Sequence, residues 1–139
     1  MSQENVEIVT RLFDVFQEGM RRGDLGVWFE SEDLADDFEW VTPPEVVGLG
    51  TYRGREGFLE FMRVWTEDYK NWSIELERVI DAGENRVVGV FHHRAIGKAS
   101  GVPIELVQGF VWELEDGRVV RMRNYVTPEQ ALEAAGLRE

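Results

Sequence analysis

Residues 72–126 carry the strongest structural signal in the chain and read WSIELERVIDAGENRVVGVFHHRAIGKASGVPIELVQGFVWELEDGRVVRMRNYV. The stretch contains four runs rich in β-branched and aromatic residues, with apolar and polar positions alternating, at 72–81, 86–97, 103–115 and 118–126. Turn-forming residues separate the runs, and Asp116-Gly117 is the clearest of these turns. The stretch therefore predicts four consecutive antiparallel strands.

Two amphipathic helices are predicted before these strands. The apolar stripe of the first helix consists of Val6, Val9, Phe13, Phe16 and Met20. This helix should end near Gly23, after which Asp24 is placed to cap a short helix over residues 25–29. The second long helix is predicted over residues 55–69, with an apolar stripe on one side made of Phe58, Phe61, Met62, Trp65 and Tyr69.

Two shorter strands are predicted between the helices. Residues 37–42 alternate and are β-prone, and Pro43 and Pro44 should end this strand. A loop then leads to a short strand at Thr51 and Tyr52.

The last predicted element is a short C-terminal helix. Thr127, Pro128 and Gln130 are typical of a helix start, and Gly136 is typical of a helix end. Helices combined with a meander of strands predict an α+β fold, in which a cone-shaped, curved, mixed or antiparallel sheet wraps around a long helix. The length of 139 residues suits one domain over residues 1–139.

Strand alternation predicts which side chains face the inside of the cone. Alternate residues of a strand form two lanes, one on each face of the sheet. In the last strand Arg121 and Arg123 share one lane and are costly to bury without partners, so the other lane should face inward. That inward lane is Val120, Met122, Asn124 and Val126. Asn124 is its polar exception.

The two preceding strands each contribute one inward polar residue. Gln108 is the only polar member of the apolar lane in residues 103–115. In residues 86–97, the charge of Arg94 favours His93 inward over His92, although a single bulge would exchange the two histidines.

Composition excludes several classes of function. The chain has 27 acidic and 15 basic residues and a net charge of −12, which makes nucleic acid and membrane surfaces poor partners. Cysteine is absent, and the first residues do not resemble a secretory signal. A cytoplasmic location is the expectation.

His93 is the one titratable side chain placed for catalysis, as a general base near neutral pH. The alternative is a core histidine that is hydrogen-bonded to Gln108 or Asn124. The histidine spacing predicts no metal site, and no cofactor motif is present. The side chains predicted to contact a ligand are Phe16, Trp40, Thr42, Tyr52, Gln108, Phe110 and Asn124.

Four segments together resemble the SnoaL-like branch of the nuclear-transport-factor-2-like superfamily. These segments are Gly23-Asp24, residues 37–40, residues 51–57, and residues 116–121 with their continuation to Leu137. The resemblance implies the α+β cone and a homodimer through the outer face of the sheet. Members include polyketide cyclases, ketosteroid isomerases, dehydratases and epoxide hydrolases, so the family alone does not determine the function.

The catalytic positions of this family carry no acid here. By this resemblance, the positions of the catalytic residues of ketosteroid isomerases correspond to Phe16, Thr42 and Phe110. The position of the catalytic aspartate of polyketide cyclases corresponds to Asn124. Phenylalanine cannot donate a hydrogen bond as a protonated acid does, and asparagine cannot transfer a proton at neutral pH.

The leading hypothesis is a pocket protein that binds a small, largely apolar molecule. Isomerase, cyclase or dehydratase activity is an additional hypothesis, and the sequence leaves open whether the domain is an enzyme. The alternative is a non-enzymatic, dimeric interaction or structural module with a filled cone. A cavity above roughly 300 Å³ would favour ligand binding.

Overall fold

The computed structural model describes residues 2–43 and 50–137. Within these ranges the chain forms three α-helices, one 3₁₀ helix and six β-strands. The elements in chain order are α1 (Ser2–Arg22), the 3₁₀ helix (Leu25–Glu30), β1 (Leu34–Val41), β2 (Thr51–Arg53), α2 (Gly54–Asp68), β3 (Tyr69–Gly83), β4 (Arg86–Gly97), β5 (Pro103–Glu115), β6 (Arg118–Tyr125) and α3 (Pro128–Ala134). Pro44 and most of the loop predicted after it lie outside the described residues.

The six strands form one curved sheet in the order β2-β1-β6-β5-β4-β3. The strands β3 to β6 pair antiparallel in sequence, which confirms the predicted meander. The strand β1 joins β6 in parallel and pairs with β2 in antiparallel, so the sheet is mixed. The predicted α+β architecture is confirmed.

The main core lies between the inner face of the sheet and the helices α1 and α2. Each layer contributes large apolar side chains that are almost fully buried. Representative members are Leu12 and Phe16 of α1, Phe58 and Phe61 of α2, and Phe38, Trp40, Phe91, Phe110 and Trp112 of the sheet. Burial of these side chains supplies the main free energy that holds helices and sheet together.

The helix α3 packs on the outer face of the sheet and forms a second, smaller core. Its side chains Ala131 and Leu132 contact Val88 and Val111 there. Gly109 allows this close approach, because a Cβ atom at this position would lie 2.6 Å from the Ala131 Cβ.

The predicted ends of the helices are partly confirmed. The helix α3 begins as expected, since Thr127 Oγ1 accepts a hydrogen bond from the Gln130 backbone N–H at 3.2 Å. Asp24 precedes the 3₁₀ helix, but its side chain makes no capping hydrogen bond, so that prediction was wrong. Instead, its backbone carbonyl accepts from the Val27 N–H at 3.4 Å.

A register shift in β6 corrects the predicted inward lane. The pairing of β5 with β6 slips between Glu113 and Leu114, so the fully buried residue is Val119, and Val120 is half-buried. Val126 follows the end of the strand and is 41% exposed, so its inward placement was wrong. Alternation cannot predict such a bulge, because one extra residue reverses the side to which every preceding side chain points.

No helix of the described residues is long and apolar enough to cross a membrane.

Candidate functional site

A cavity of about 130 Å³ lies between α1, α2 and the inner face of the sheet. It is smaller than the roughly 300 Å³ expected for a drug-sized ligand, but the cone is not filled. Seven of the predicted site residues line the cavity, namely Phe16, Trp40, Thr42, His93, Gln108, Phe110 and Asn124. The rest of its lining is almost entirely apolar and aromatic.

Tyr52 is the predicted ligand contact that does not line this cavity. It lies opposite Trp40 in the pairing of β1 with β2, and its ring packs on Phe61 with centroids 5.4 Å apart. Because Phe61 lines the cavity, Tyr52 belongs to a layer behind the cavity wall.

His93 faces inward and is only 6% exposed. Its Nδ1 accepts a hydrogen bond from Trp72 Nε1 at 3.1 Å, so its partner is neither Gln108 nor Asn124. Burial, and secondarily the charge of His92, lowers the pKa of His93 to about 4. His93 is therefore neutral at pH 7.

His92 points to the opposite face of the sheet, as alternation requires. Its Nδ1 lies 3.1 Å from Glu77 and its Nε2 lies 2.8 Å from Glu105. The two adjacent histidines therefore do not face a common site. Among the described residues no cluster of His, Asp or Glu side chains could hold a metal ion.

Four buried side-chain polar atoms of the described residues lack a hydrogen-bond partner, and all four belong to residues that line the cavity. They are Trp40 Nε1, Trp65 Nε1, His93 Nε2 and Asn124 Oδ1. Buried polar groups in folded proteins are nearly always hydrogen-bonded, so four exceptions around one cavity indicate a place for a polar occupant. Thr42 differs, because its hydroxyl donates to the Gly50 carbonyl at 2.7 Å.

The model of the SnoaL-like domain family matches residues 9–122. The chain belongs to this family. The resemblance inferred from the sequence is thus confirmed. No curated protein matches the chain.

Solved structures of NTF2-like proteins share the fold of this SnoaL-like domain. One from Burkholderia pseudomallei, of unknown function, is 24% identical over 96% of this chain and 97% of that chain, with a TM-score of 0.72. Another, from Burkholderia xenovorans, is 25% identical over 97% of both chains, with a TM-score of 0.66. A third, from Anabaena variabilis, is 21% identical over 90% of both chains, with a TM-score of 0.70. Such similarity establishes a fold and no activity.

Two arginines of β6, Arg121 and Arg123, lie on the outer face of the SnoaL-like sheet in a ladder of ion pairs. Arg121 donates to Glu39 at 2.8 Å and to Glu113 at 2.6 Å, and Arg123 donates to Glu113 at 2.7 Å. The hydrogen bond from Arg121 lowers the pKa of Glu39. At Glu113, desolvation by burial raises the pKa. The hydrogen bonds and charges of Arg123 and Arg121 outweigh it, so the pKa of Glu113 is lowered. These partners explain why both arginines point away from the cavity.

Sequence reasoning missed Trp72 and Trp65 as polar residues of the site. Trp72 follows Asn71, whose positive φ of 56° lies in a register shift of β3 between Lys70 and Ser73. Asparagine tolerates this left-handed conformation better than most residues do. Asn71 is therefore the residue from which the irregularity of β3 beside Trp72 could have been predicted. Trp65 lies on the inner face of α2, where it was predicted only as part of the apolar stripe.

Proposed function

We propose that this SnoaL-like domain binds a small, largely apolar molecule of about one ring. The observation that carries this proposal is an apolar cavity whose wall holds four polar atoms without partners. An apolar cavity of about 150 Å³ is large enough for benzene, and this cavity of about 130 Å³ is close to that size. The size therefore favours single-ring ligands over polycyclic ones.

The side chains that line the cavity give less support to general acid–base catalysis than to ligand binding. The family's acid and base positions hold Phe16, Thr42, Phe110 and Asn124, none of which titrates near neutral pH. His93 was the candidate base, but its accepting nitrogen Nδ1 is already bonded to Trp72. Isomerase, cyclase or dehydratase activity thus stays a second candidate, which would need a base from outside these residues.

The filled-cone interaction module is the other alternative, and the cavity of about 130 Å³ lies below the roughly 300 Å³ set for ligand binding, so only its apolar, partly unsatisfied lining favours a ligand over this module. The homodimer implied by the family is compatible with either function. Its proposed interface is the outer sheet face, where Val107 is 44% exposed and pairs with His92, whose ring nitrogens lie 3.1 Å from Glu77 and 2.8 Å from Glu105. Sedimentation equilibrium of the wild type and of Val107→Glu tests it, and a monomeric wild type would contradict it. The cytoplasmic location stays a prediction.

Ligand titrations of increasing ring size test the binding function. We expect benzene and cyclohexane to bind the wild-type protein with measurable NMR shifts of the cavity residues, and naphthalene to bind at least about tenfold more weakly, because it exceeds the cavity. Native mass spectrometry of freshly purified protein would reveal a co-purified molecule. If none of benzene, cyclohexane and the single-ring ketone cyclohexanone shifts resonances of the cavity residues, the binding function is wrong.

A further inference from the structure

Trp72 and His93 are joined by a hydrogen bond in the wall of the cavity. Trp72 Nε1 lies 3.1 Å from His93 Nδ1, and the two ring planes are within 6° of parallel. An indole N–H can only donate, so Nδ1 of His93 must accept with its lone pair. A neutral imidazole that accepts at Nδ1 carries its proton on Nε2. His93 is thus a hydrogen-bond donor toward any further partner.

The second nitrogen of His93 has no such partner within the described chain. Nε2 is buried and makes no hydrogen bond, and the nearby Trp65, with ring centroids 6.4 Å from His93, has an unpartnered Nε1 as well. Both atoms are donors. An acceptor atom that reached them would remove the free-energy cost of two unsatisfied buried groups.

The lining residues also restrict the charge of an occupant. Among the described residues that line the cavity, His93 is the only titratable one, and none carries a formal charge at pH 7. A buried carboxylate or ammonium group would therefore have no countercharge, which is strongly unfavourable. A neutral acceptor avoids this cost.

We propose that Trp72 is a positioning residue that holds His93 as a donor, and that the cavity recognises a neutral one-ring molecule through a carbonyl oxygen that accepts from His93 Nε2. A carbonyl oxygen has two lone pairs, so it can accept from Trp65 Nε1 at the same time. The proposal rests on the binding function proposed above and specifies its ligand class.

Cyclohexanone and methylenecyclohexane form the test pair, because they share a shape and differ in one exocyclic atom. The measured quantity is the ratio of their dissociation constants, obtained by NMR titration. We expect His93→Phe to shift this ratio against cyclohexanone by about fivefold, the effect of one hydrogen bond. His93→Gln, which retains a side-chain N–H donor, should restore part of the preference.

The tautomer of His93 is measured directly by nitrogen-15 NMR of its imidazole. We expect the wild type to carry the proton on Nε2, and Trp72→Phe to populate both tautomers because its side chain cannot donate. In the wild type, the Nε2 resonance should move with cyclohexanone and move less with methylenecyclohexane. This measurement needs no variant, so it decides the proposal even if a substitution prevents folding.

The outcomes separate this proposal from the binding function. If both probes bind and their ratio is the same in the wild type and in His93→Phe, the cavity binds apolar molecules but the role of His93 is wrong. A proton on Nδ1 in the wild type would overturn the positioning role of Trp72. If neither probe binds, the ligand class and the binding function fail together.

Discussion

His93 couples the stability of the domain to pH. Its pKa is lowered from 6.5 to about 4 in the folded protein, mainly by burial. Between these values the unfolded chain binds a proton that the folded chain excludes, so stability is complete above pH 6.5 and falls as the pH decreases toward 4. We expect the free energy of unfolding to drop by about 2 kcal/mol between pH 7 and pH 5.

Urea denaturation at pH 7, 6 and 5 measures this effect. The variant His93→Phe should lose most of the pH dependence, because it removes the buried group whose pKa is lowered on folding. The carboxylates with lowered pKa values titrate below this range. An equal slope in the wild type and in His93→Phe would show that His93 is not the responsible group.

At the residue scale, alternation and the cost of burying charge were enough to place three polar side chains at the cavity. His93, Gln108 and Asn124 each stand out as polar residues in an apolar lane, and all three line the cavity. The hydrogen bond of His93 could not be predicted in this way. It depends on Trp72, which reaches His93 from a neighbouring strand after an irregular Asn71.

At the element scale, local sequence signals predicted which helices and strands form, and tertiary packing determined the rest. Turn residues at Asp116 and Gly117, and the start of α3 at Thr127, act through neighbours in the chain, so the sequence reveals them. The parallel pairing of β1 with β6 and the register shift near Val119 join distant segments. No local pattern predicts such pairings, because they depend on the shape of the whole sheet.

The contact between α3 and the sheet depends on the absence of a side chain at Gly109. A Cβ atom there would lie 2.6 Å from Ala131 Cβ and 2.8 Å from Pro128 Cα. We expect Gly109→Ala to lower the free energy of unfolding by about 1–3 kcal/mol, because the helix must move away from the strand. Thermal or urea denaturation measures the loss.

The matched control for this substitution is Gly50→Ala. No atom lies within 4 Å of a Cβ built at Gly50, and its backbone is not in the left-handed region. Its stability should therefore stay within about 0.5 kcal/mol of the wild type or increase slightly. Equal losses in the two variants would mean that Gly109 matters for backbone conformation and not for the packing of α3.

At the scale of the whole molecule, the cavity leaves the core less tightly packed than a filled core would be. Side chains around an empty cavity lose contacts that a filled core would have, and each buried polar atom without a partner adds to this cost. Natural proteins often retain such destabilising features at functional sites. The cavity should therefore be a place where added bulk stabilises the fold and abolishes binding.

Two valines with no solvent exposure allow a matched test of this trade-off. Val9 of α1 lines the cavity, whereas Val87 of β4 does not. We expect Val87→Phe to lose about 1–3 kcal/mol through overpacking, and Val9→Phe to remain within about 1 kcal/mol of the wild type or to exceed it, because its ring enters the cavity. Val9→Phe should also weaken the binding of cyclohexane at least about tenfold. Equal destabilisation in the two variants, with cyclohexane binding unchanged in Val9→Phe, would mean that the space beside Val9 is not the ligand site, since a binding cavity must lose its ligand when it is filled.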